Sequence, residues 1–410
     1  MPRMPAKPKD RDRMRPRRAA MLVHAYYEED ARVRREAEAL VARGWQVDVF
    51  GLRREGESEQ TVVSGVRSVR LPVGRHQGAG IGTYLREYLE FFARAGAAVT
   101  RAHRHDRYDI VQVHTIPDFL AFAAVPLRLT GVPLVLDLHE AMPEFFRMRF
   151  PRASNPAAHA ALRFQERAAI AVANAVITVN DSLAARLRSI GVPDRKLTVV
   201  MNTPDLRLFD RAAHPERDFM ADGTLALVYA GALTPVYELD VLIKALASIR
   251  AQRPELPTSL HIYGRGDAEE QLRALAQSVG VADRVRFHGR IPLEEVAAAI
   301  APSDIGIAPT RRDPMTDFSL STKLFEYSAM GKPVVASRLP TVEHYFPPDT
   351  LAMYTPGDPA ALALAVTSLV DDPAERTARV ERTAARADAL GWEHQADRYA
   401  ALMAGLTTGP

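Results

Sequence analysis

At 410 residues the chain is longer than one ordinary hydrophobic core organises, so two or three domains are expected. Its 47% hydrophobic and 25% charged residues are a globular balance. It has no cysteine, which excludes disulfides, thiolate metal sites and cysteine nucleophiles, and which fits a reducing, cytoplasmic compartment.

The formal charge of +3 gathers partly near the N-terminus, where Arg3, Lys7, Lys9, Arg11, Arg13, Arg15, Arg17 and Arg18 face only Asp10 and Asp12. Residues 1–18 therefore read as a disordered basic tail without the apolar stretch of a signal peptide. No run of about 18 apolar residues is present to span a membrane. A peripheral contact with anionic lipid at the inner face of the cell membrane stays open. No nucleic-acid partner is expected.

In chain order, short apolar runs alternate with helix-length amphipathic stretches. A strand is expected over residues 19–25, a helix over 30–43 ended by Gly44, and a strand over 46–50. Strands follow at 109–114, 133–138, 175–179 and 197–200, with helices at 117–130 and 158–173. After a polar, irregular stretch between Met201 and Gly223 the pattern restarts. Strands are expected at 225–230, 259–263, 285–288, 305–308 and 333–337, and helices at 239–252, 268–279, 293–301 and 322–330. A helix broken near Gly391 and Trp392 closes the chain. Strands this apolar, separated by helices, indicate parallel sheets covered on both faces. The fold class is thus α/β, with two Rossmann-like, doubly wound domains facing across a cleft. The boundaries read as an N-terminal domain over 19–205, a linker over 206–223, a C-terminal domain over 224–390, and a last helix over 391–410 packing back on the first domain. Ligands of such sheets bind beyond the carboxyl ends of the strands.

The nucleotide-site signals lie in the second half. The strand at 225–230 runs into Gly231, and the strand at 259–263 runs into Gly264-Arg265-Gly266. Glycines there admit a phosphate to the backbone, and a guanidinium matches phosphate oxygens. An ordinary turn with a solvated arginine is the competing reading. Ser319, Ser321 and Thr322 are suited to cap the helix that follows. On a helical wheel Leu324, Phe325, Ser328 and Ala329 share one arc, and Thr322, Lys323, Glu326 and Met330 the opposite one. The helix start at Ser321 and Thr322 would receive a diphosphate, with Lys323 adding charge and Glu326 accepting from ribose hydroxyls. The competing reading is a surface pair of Lys323 and Glu326.

The stretch TKLFEYSAMGKPVVAS resembles the C-terminal signature of family 4 retaining glycosyltransferases, which have the GT-B fold. LVYAGALTPVYELDVLIKAL, DRYDIVQVHTIPDFLAFAAVPLRLTGVPLVLDLHE and EEDARVRREAEALVARGWQVDVF resemble the family's other segments, in the family's order. The resemblance implies transfer of a sugar from a nucleotide diphosphate sugar to a glycan, lipid-linked or small-molecule acceptor, without a metal or other cofactor. The chain departs from the pattern at three places. The first Glu of the signature falls at Phe318, with Asp317 one position early. The basic pair that holds the diphosphate falls at Ala232 and Glu238. The glycine-rich first loop is replaced by His24-Ala25-Tyr26-Tyr27-Glu28. The diphosphate role therefore passes to Lys323, Arg265 and the helix start.

His114 and His139 each end an expected parallel strand. The resemblance places His139 at the cleft, donating to the donor sugar, while His114 reads better as structural. Tyr26, Asp30 and Arg32, near the start of the first helix, are candidate acceptor contacts. Residues 83–107 carry a tyrosine, leucine and phenylalanine stripe beside arginines, as a core helix or a membrane-surface helix would. Three other classes compete: a nucleotide-sugar epimerase of the same architecture, a non-catalytic binding module, and a dehydrogenase. The last lacks its Gly-x-Gly-x-x-Gly loop.

Overall fold

The computed structural model describes residues 15–75, 80–150, 152–215 and 217–408, without the side chain of Ile81. Residues 1–14 of the expected tail lie outside that set. Its last residues are structured, because carboxylates meet them. Arg15 donates to Asp109 Oδ1 (2.6 Å), and Arg18 opens the first strand with its guanidinium 3.2 Å from Asp48.

The chain divides into two compact units, Met1–Met201 with Gln395–Pro410, and Asn202–His394. The first unit runs β1 (Arg18–Leu22), α1 (Ala31–Val41), β2 (Gln46–Leu52), β3 (Gln60–Val63), β4 (Val66–Leu71), α2 (Ile81–His105), β5 (Ile110–His114), α3 (Val125–Leu129), β6 (Leu134–Leu138), α4 (Met142–Arg149), α5 (Pro156–Val172), β7 (Ala175–Thr178), α6 (Asp181–Ser189) and β8 (Leu197–Val199). Its sheet has the order β3-β4-β2-β1-β5-β6-β7-β8. All pairs are parallel except β3 with β4.

Local chemistry explains the first βα unit. Asp30 takes an extended conformation and its carboxylate accepts from Val33 N–H, which starts α1. Gly44, at φ +82°, ends it, with its N–H on Val41 O and that of Trp45 on Leu40 O. Val33, Ala37 and Leu40 bury one face. The core gathers Ala20, Leu22, Val111, Val113, Leu134 and Leu136 of the sheet against Phe91, Val99 and Leu127. Within these apolar strands Gln112, His114 and Asp137 are fully buried. Groups of this kind must find partners inside the protein.

Two expectations change. The helix at 117–130 is a 3₁₀ segment, Asp118–Ala124, followed by the short α3. Pro126 has no N–H for the Phe122 carbonyl, which Val125 N–H takes instead in the tighter i→i−3 pattern. The β3–β4 hairpin was not expected, because its strands mix polar and apolar residues at the sheet edge.

The second unit runs β9 (Leu225–Ala230), α7 (Leu239–Gln252), β10 (Thr258–Tyr263), α8 (Glu269–Ser278), β11 (Val285–Gly289), α9 (Val296–Ile300), β12 (Ile305–Ala308), α10 (Lys323–Ala329), β13 (Val334–Ser337), α11 (Pro340–Tyr345), β14 (Ala352–Tyr354), α12 (Pro359–Asp371) and α13 (Pro373–Ala389). Its strands lie in the order β11-β10-β9-β12-β13-β14, all parallel. The residues before β9 are fastened to this unit: Met220 N–H donates to Asp304 Oδ1 (2.9 Å) and Arg217 pairs with the same carboxylate. A last helix, α14 (Trp392–Thr407), carries the chain into the first unit's set of residues. There Gln395 accepts from Met201 N–H, and Tyr399 and Met403 are fully buried.

Strand order reverses between β1 and β5 in one unit and between β9 and β12 in the other. In parallel sheets these switch points open a crevice at the carboxyl ends of the strands. His24 and His114 lie at the first reversal, and Gly231 at the second.

Candidate active site

In the second unit the ends of β9 and β10 interlock, backbone against backbone. Gly231 N–H donates to Tyr263 O (2.8 Å), Leu233 N–H to Arg265 O (3.0 Å), and Gly264 N–H to Gly289 O (2.8 Å). A Cβ on Gly264 would lie 1.8 Å from Gly231 O, and one on Gly266 would lie 2.1 Å from Leu233 O. Both glycines are required for this approach. Arg265 is exposed at the tip of the turn.

Helix α10 is seated on these strands. Gly306 of β12 leaves room for the Tyr327 ring, whose hydroxyl accepts from Ala230 N–H (3.1 Å). This seating places Lys323 beside Gly231. The Lys323 ammonium lies 4.2 Å from the Tyr237 ring centre and 5.2 Å from that of Tyr229. Cations are attracted to aromatic faces at such range. The residue is only 6% exposed, and no carboxylate among the described residues pairs with it. Lys323 and Met330, on the wheel arc opposite Leu324 and Phe325, are buried as well, and Tyr229 and Tyr237 enclose the Lys323 end of this two-turn helix. Glu326, one turn on, is half-buried.

The expected side-chain cap is absent. Thr322 is already helical, at φ −61° and ψ −26°, and no side chain caps α10. A capping oxygen reaches the first turn only from an extended residue. The backbone oxygens of Ser321 and Thr322 instead accept from Leu324, Phe325 and Glu326 N–H.

At the positions of the absent basic pair, Ala232 is exposed and Glu238 is buried. Glu238 accepts from Gly357 N–H (2.9 Å) and Tyr354 OH (3.2 Å). Burial raises its carboxyl above the usual range, against those hydrogen bonds. Asp317, beside Phe318, pairs with Arg312 (3.0 Å).

The first unit holds a buried polar cluster at the ends of β5 and β6. Arg32 grips Asp137 with two hydrogen bonds, Nε to Oδ2 (3.0 Å) and Nη2 to Oδ1 (2.8 Å). Asp137 Oδ2 also meets His114 Nδ1 (3.1 Å) and His139 Nε2 (3.2 Å). Burial opposes the charged form of His139, but the Asp137 carboxylate outweighs it and raises the imidazole's pKa. For His114, burial prevails and lowers it. Asp137 is held well below the usual carboxylate range by Arg32 and His139, against its burial. The ligand-type atoms of His114, Asp137 and His139 lie within 4.8 Å of one another. Both Asp137 oxygens are engaged by a guanidinium, however, and its positive charge disfavours a cation there.

The three acceptor candidates have structural partners. Arg32 is 3% exposed and spends its donors on Asp137 and Val200 O, so its expected acceptor contact is corrected to an internal one. Asp30 caps α1. Tyr26 is half-buried under the Arg54 guanidinium, 4.0 Å from its ring centre. Sequence reasoning missed Tyr229 and Tyr237 around Lys323, and Asp137, Gln112 and Glu36 in the first unit. The last three had a signal: polar residues inside apolar strands and on the inner face of α1.

Residues 30–203 match the glycosyl transferase 4-like domain, and residues 224–372 the glycosyl transferases group 1 family. A D-inositol 3-phosphate glycosyltransferase of Pseudarthrobacter chlorophenolicus is 27% identical over 304 residues, covering 73% of this chain and 71% of that one. The enzyme of the same name from Arthrobacter sp. is 25% identical over 388 residues, 89% of this chain and 86% of that one. Among solved structures, sucrose-phosphate synthase from Thermosynechococcus elongatus shares the fold with a TM-score of 0.78 at 21% identity, over 96% and 99% of the two chains. Anabaena HepE, solved with UDP and glucose, gives a TM-score of 0.69 at 15% identity over 95% and 100%. With two Rossmann-like sheets of the GT-B kind and both halves matched by glycosyltransferase domains, the chain belongs to the family 4 glycosyltransferases.

Proposed function

We propose that the chain moves a sugar from a nucleoside diphosphate donor to a glycan, lipid-linked or small-molecule acceptor, with retention at the anomeric carbon. In this reading the diphosphate lies at the carboxyl ends of β9 and β10, against Gly231 and the turn Gly264-Arg265-Gly266. Lys323 supplies the nearest cation and Arg265 a second one, and the amides of Ser321 and Thr322 complete the cradle. Glu326 accepts from the ribose hydroxyls. The observation that carries this is the buried, carboxylate-free ammonium of Lys323 next to Gly231. A cation kept out of water with aromatic faces but no carboxylate beside it has its use when an anion arrives. HepE and its complexes with UDP and UDP-glucose lend support from a chain of the same fold.

Negative charge builds on the leaving diphosphate as the glycosidic bond to it breaks. A fixed cation and fixed dipoles stabilise that charge without reorganisation. The reading calls on no metal ion. In the first unit His139 offers an imidazole donor to a sugar ligand, and Tyr26 and Asp30 are the remaining candidate acceptor contacts. The same reading places the chain in the cytoplasm. No helix among the described residues is long and apolar enough to cross a membrane. A peripheral contact is supported by Leu85 and Leu89 of α2, 53% and 52% exposed beside Arg86.

The test is calorimetric titration with UDP, GDP and ADP. At least one should bind, and Lys323→Ala and Glu326→Ala should each weaken it roughly tenfold or more, about 1.4 kcal/mol. Unchanged affinity in both variants removes this donor site.

A further inference from the structure

The buried cluster of the first unit does not end at Asp137. Arg32 Nη2 also lies 3.1 Å from Glu36 Oε1, one helical turn further along α1. The other Glu36 oxygen accepts from Gln112 Nε2 (2.6 Å) on β5. Gln112 Oε1 in turn accepts from Tyr399 OH (2.6 Å) on α14. Glu36, Gln112, Asp137 and Tyr399 are all fully enclosed or nearly so. An unbroken chain of polar contacts thus runs Tyr399–Gln112–Glu36–Arg32–Asp137–His139.

Charge counting gives this chain a meaning. Two carboxylates, Glu36 and Asp137, share one guanidinium. Buried charge must be balanced, so either Glu36 carries a proton or a second cation is present. The groups facing the cluster are few. Helix α1 contributes Asp30, Arg32 and Glu36; β5 contributes Gln112 and His114. The end of β6 contributes Asp137, His139 and Glu140, and α14 contributes Tyr399. His139 is the group among these that can become that second cation at ordinary pH, since burial keeps His114 neutral.

We propose that Tyr399 is a positioning residue for His139, acting through Gln112 and Glu36 to hold the imidazole in its charged, donating form. The Tyr399 hydroxyl fixes the Gln112 amide with its NH₂ toward Glu36. That donor favours the Glu36 carboxylate over its acid. The carboxylate leaves Arg32 and Asp137 with one negative charge to spare, which the imidazolium of His139 neutralises. Burial, with Asp137 behind it, pushes the Glu36 carboxyl up to about 8 even beside Arg32 and Gln112, so its acid and its carboxylate are balanced close to ordinary pH and the Gln112 and Tyr399 donors tip that balance. The kinetic consequence rests on the role given to His139 above; the titration itself does not.

The experiment is a histidine NMR titration of the full chain, wild type against Tyr399→Phe and Glu36→Gln, with His103 as internal reference on α2. Both changes preserve side-chain shape. Each should lower the His139 midpoint, Glu36→Gln by about one unit and Tyr399→Phe by about half a unit, a roughly threefold change in protonation constant. His103 should not move. The acid limb of the pH–rate profile for sugar transfer should be unchanged in form, and its alkaline limb should shift down with the His139 midpoint. A purely structural Tyr399 would lower stability and leave the midpoint in place. An unmoved His139 midpoint in either variant overturns the proposal, whatever the nucleotide titrations show.

Discussion

The Lys323 ammonium occupies the space that a side chain at Gly231 would fill: a Cβ there would stand 2.5 Å from Lys323 Cε and 2.7 Å from Nζ. The lysine opens helix α10 and the glycine follows strand β9, and the cation's position depends on the missing side chain. Gly231→Ala should therefore displace the flexible lysine end, and it should also lower stability by about 1 kcal/mol because alanine rarely adopts the glycine's φ of +159°. Nucleotide affinity should drop roughly tenfold, about 1.4 kcal/mol, with a modest fall in the thermal midpoint. Calorimetry beside a melting curve checks both, and undiminished affinity would detach Gly231 from the donor site.

Lys323→Met separates function from stability. The Tyr229 and Tyr237 faces offset only part of the hydration this enclosed cation gives up until an anion binds, and a methionine fills similar volume against the same rings. The variant should unfold at the same urea concentration as wild type or a higher one, and should lose the rise in melting temperature that nucleotide produces. A clear loss of stability in the apo protein would mean that Lys323 is structural.

Gly264→Ala belongs to a different class. Its Cβ would meet the Gly231 carbonyl at 1.8 Å, backbone against backbone, and no rotamer relieves that contact. A loss of about 3 kcal/mol or more is expected in urea unfolding. Wild-type stability would show that the two turns separate easily.

Arg32→Met tests whether this arginine meets the acceptor or serves the interior. Removing one partner of a buried ion pair costs about 3–5 kcal/mol. The expected outcome is a loss of that size in unfolding free energy. A stable variant with a raised acceptor KM alone would return Arg32 to the acceptor.

Asp118 sets a pH dependence. It is fully buried, neither carboxylate oxygen has a hydrogen-bond partner among the described residues, and burial followed by Glu166 pushes its pKa up to about 8. The unfolded chain loses this proton at about pH 4. Between those values the native state binds more protons, so stability falls as pH rises from about 4 to about 8. Asp118→Asn removes the titration. At pH 8 it should exceed wild type by an amount on the order of 5 kcal/mol, with the difference vanishing near pH 4. Parallel stability curves across that range would contradict this.

The two α/β units were legible because the strands are apolar throughout and the helix ends carry their own punctuation, as at Asp30 and Gly44. Glycines at the ends of β9 and β10 marked the loops that interlock backbone against backbone. What stayed hidden depends on contacts distant in sequence. Asp137 finds Arg32 across 105 residues, and Tyr399 finds Gln112 across 287. No local pattern announces such partners. The wheel separates Lys323 from the Leu324 and Phe325 arc but does not show its burial, because a period of 3.6 describes one flat interface, whereas Lys323 is enclosed by Gly231 on one side and two tyrosine rings on another. Arg32 reads as an acceptor contact near a helix start, and only the carboxylate on β6 compensates its interior position.

Because residues 395–410 complete the first unit, that unit is built from two stretches separated by the whole of the second. On the ribosome, residues 202–394 emerge and have all their own strands before Tyr399 and Met403 exist to plug the sheet they cover. The usual order, in which the leading domain finishes first, is therefore inverted: the leading half waits for helix α14 to be synthesised before the Gln112 amide oxygen receives its Tyr399 donor.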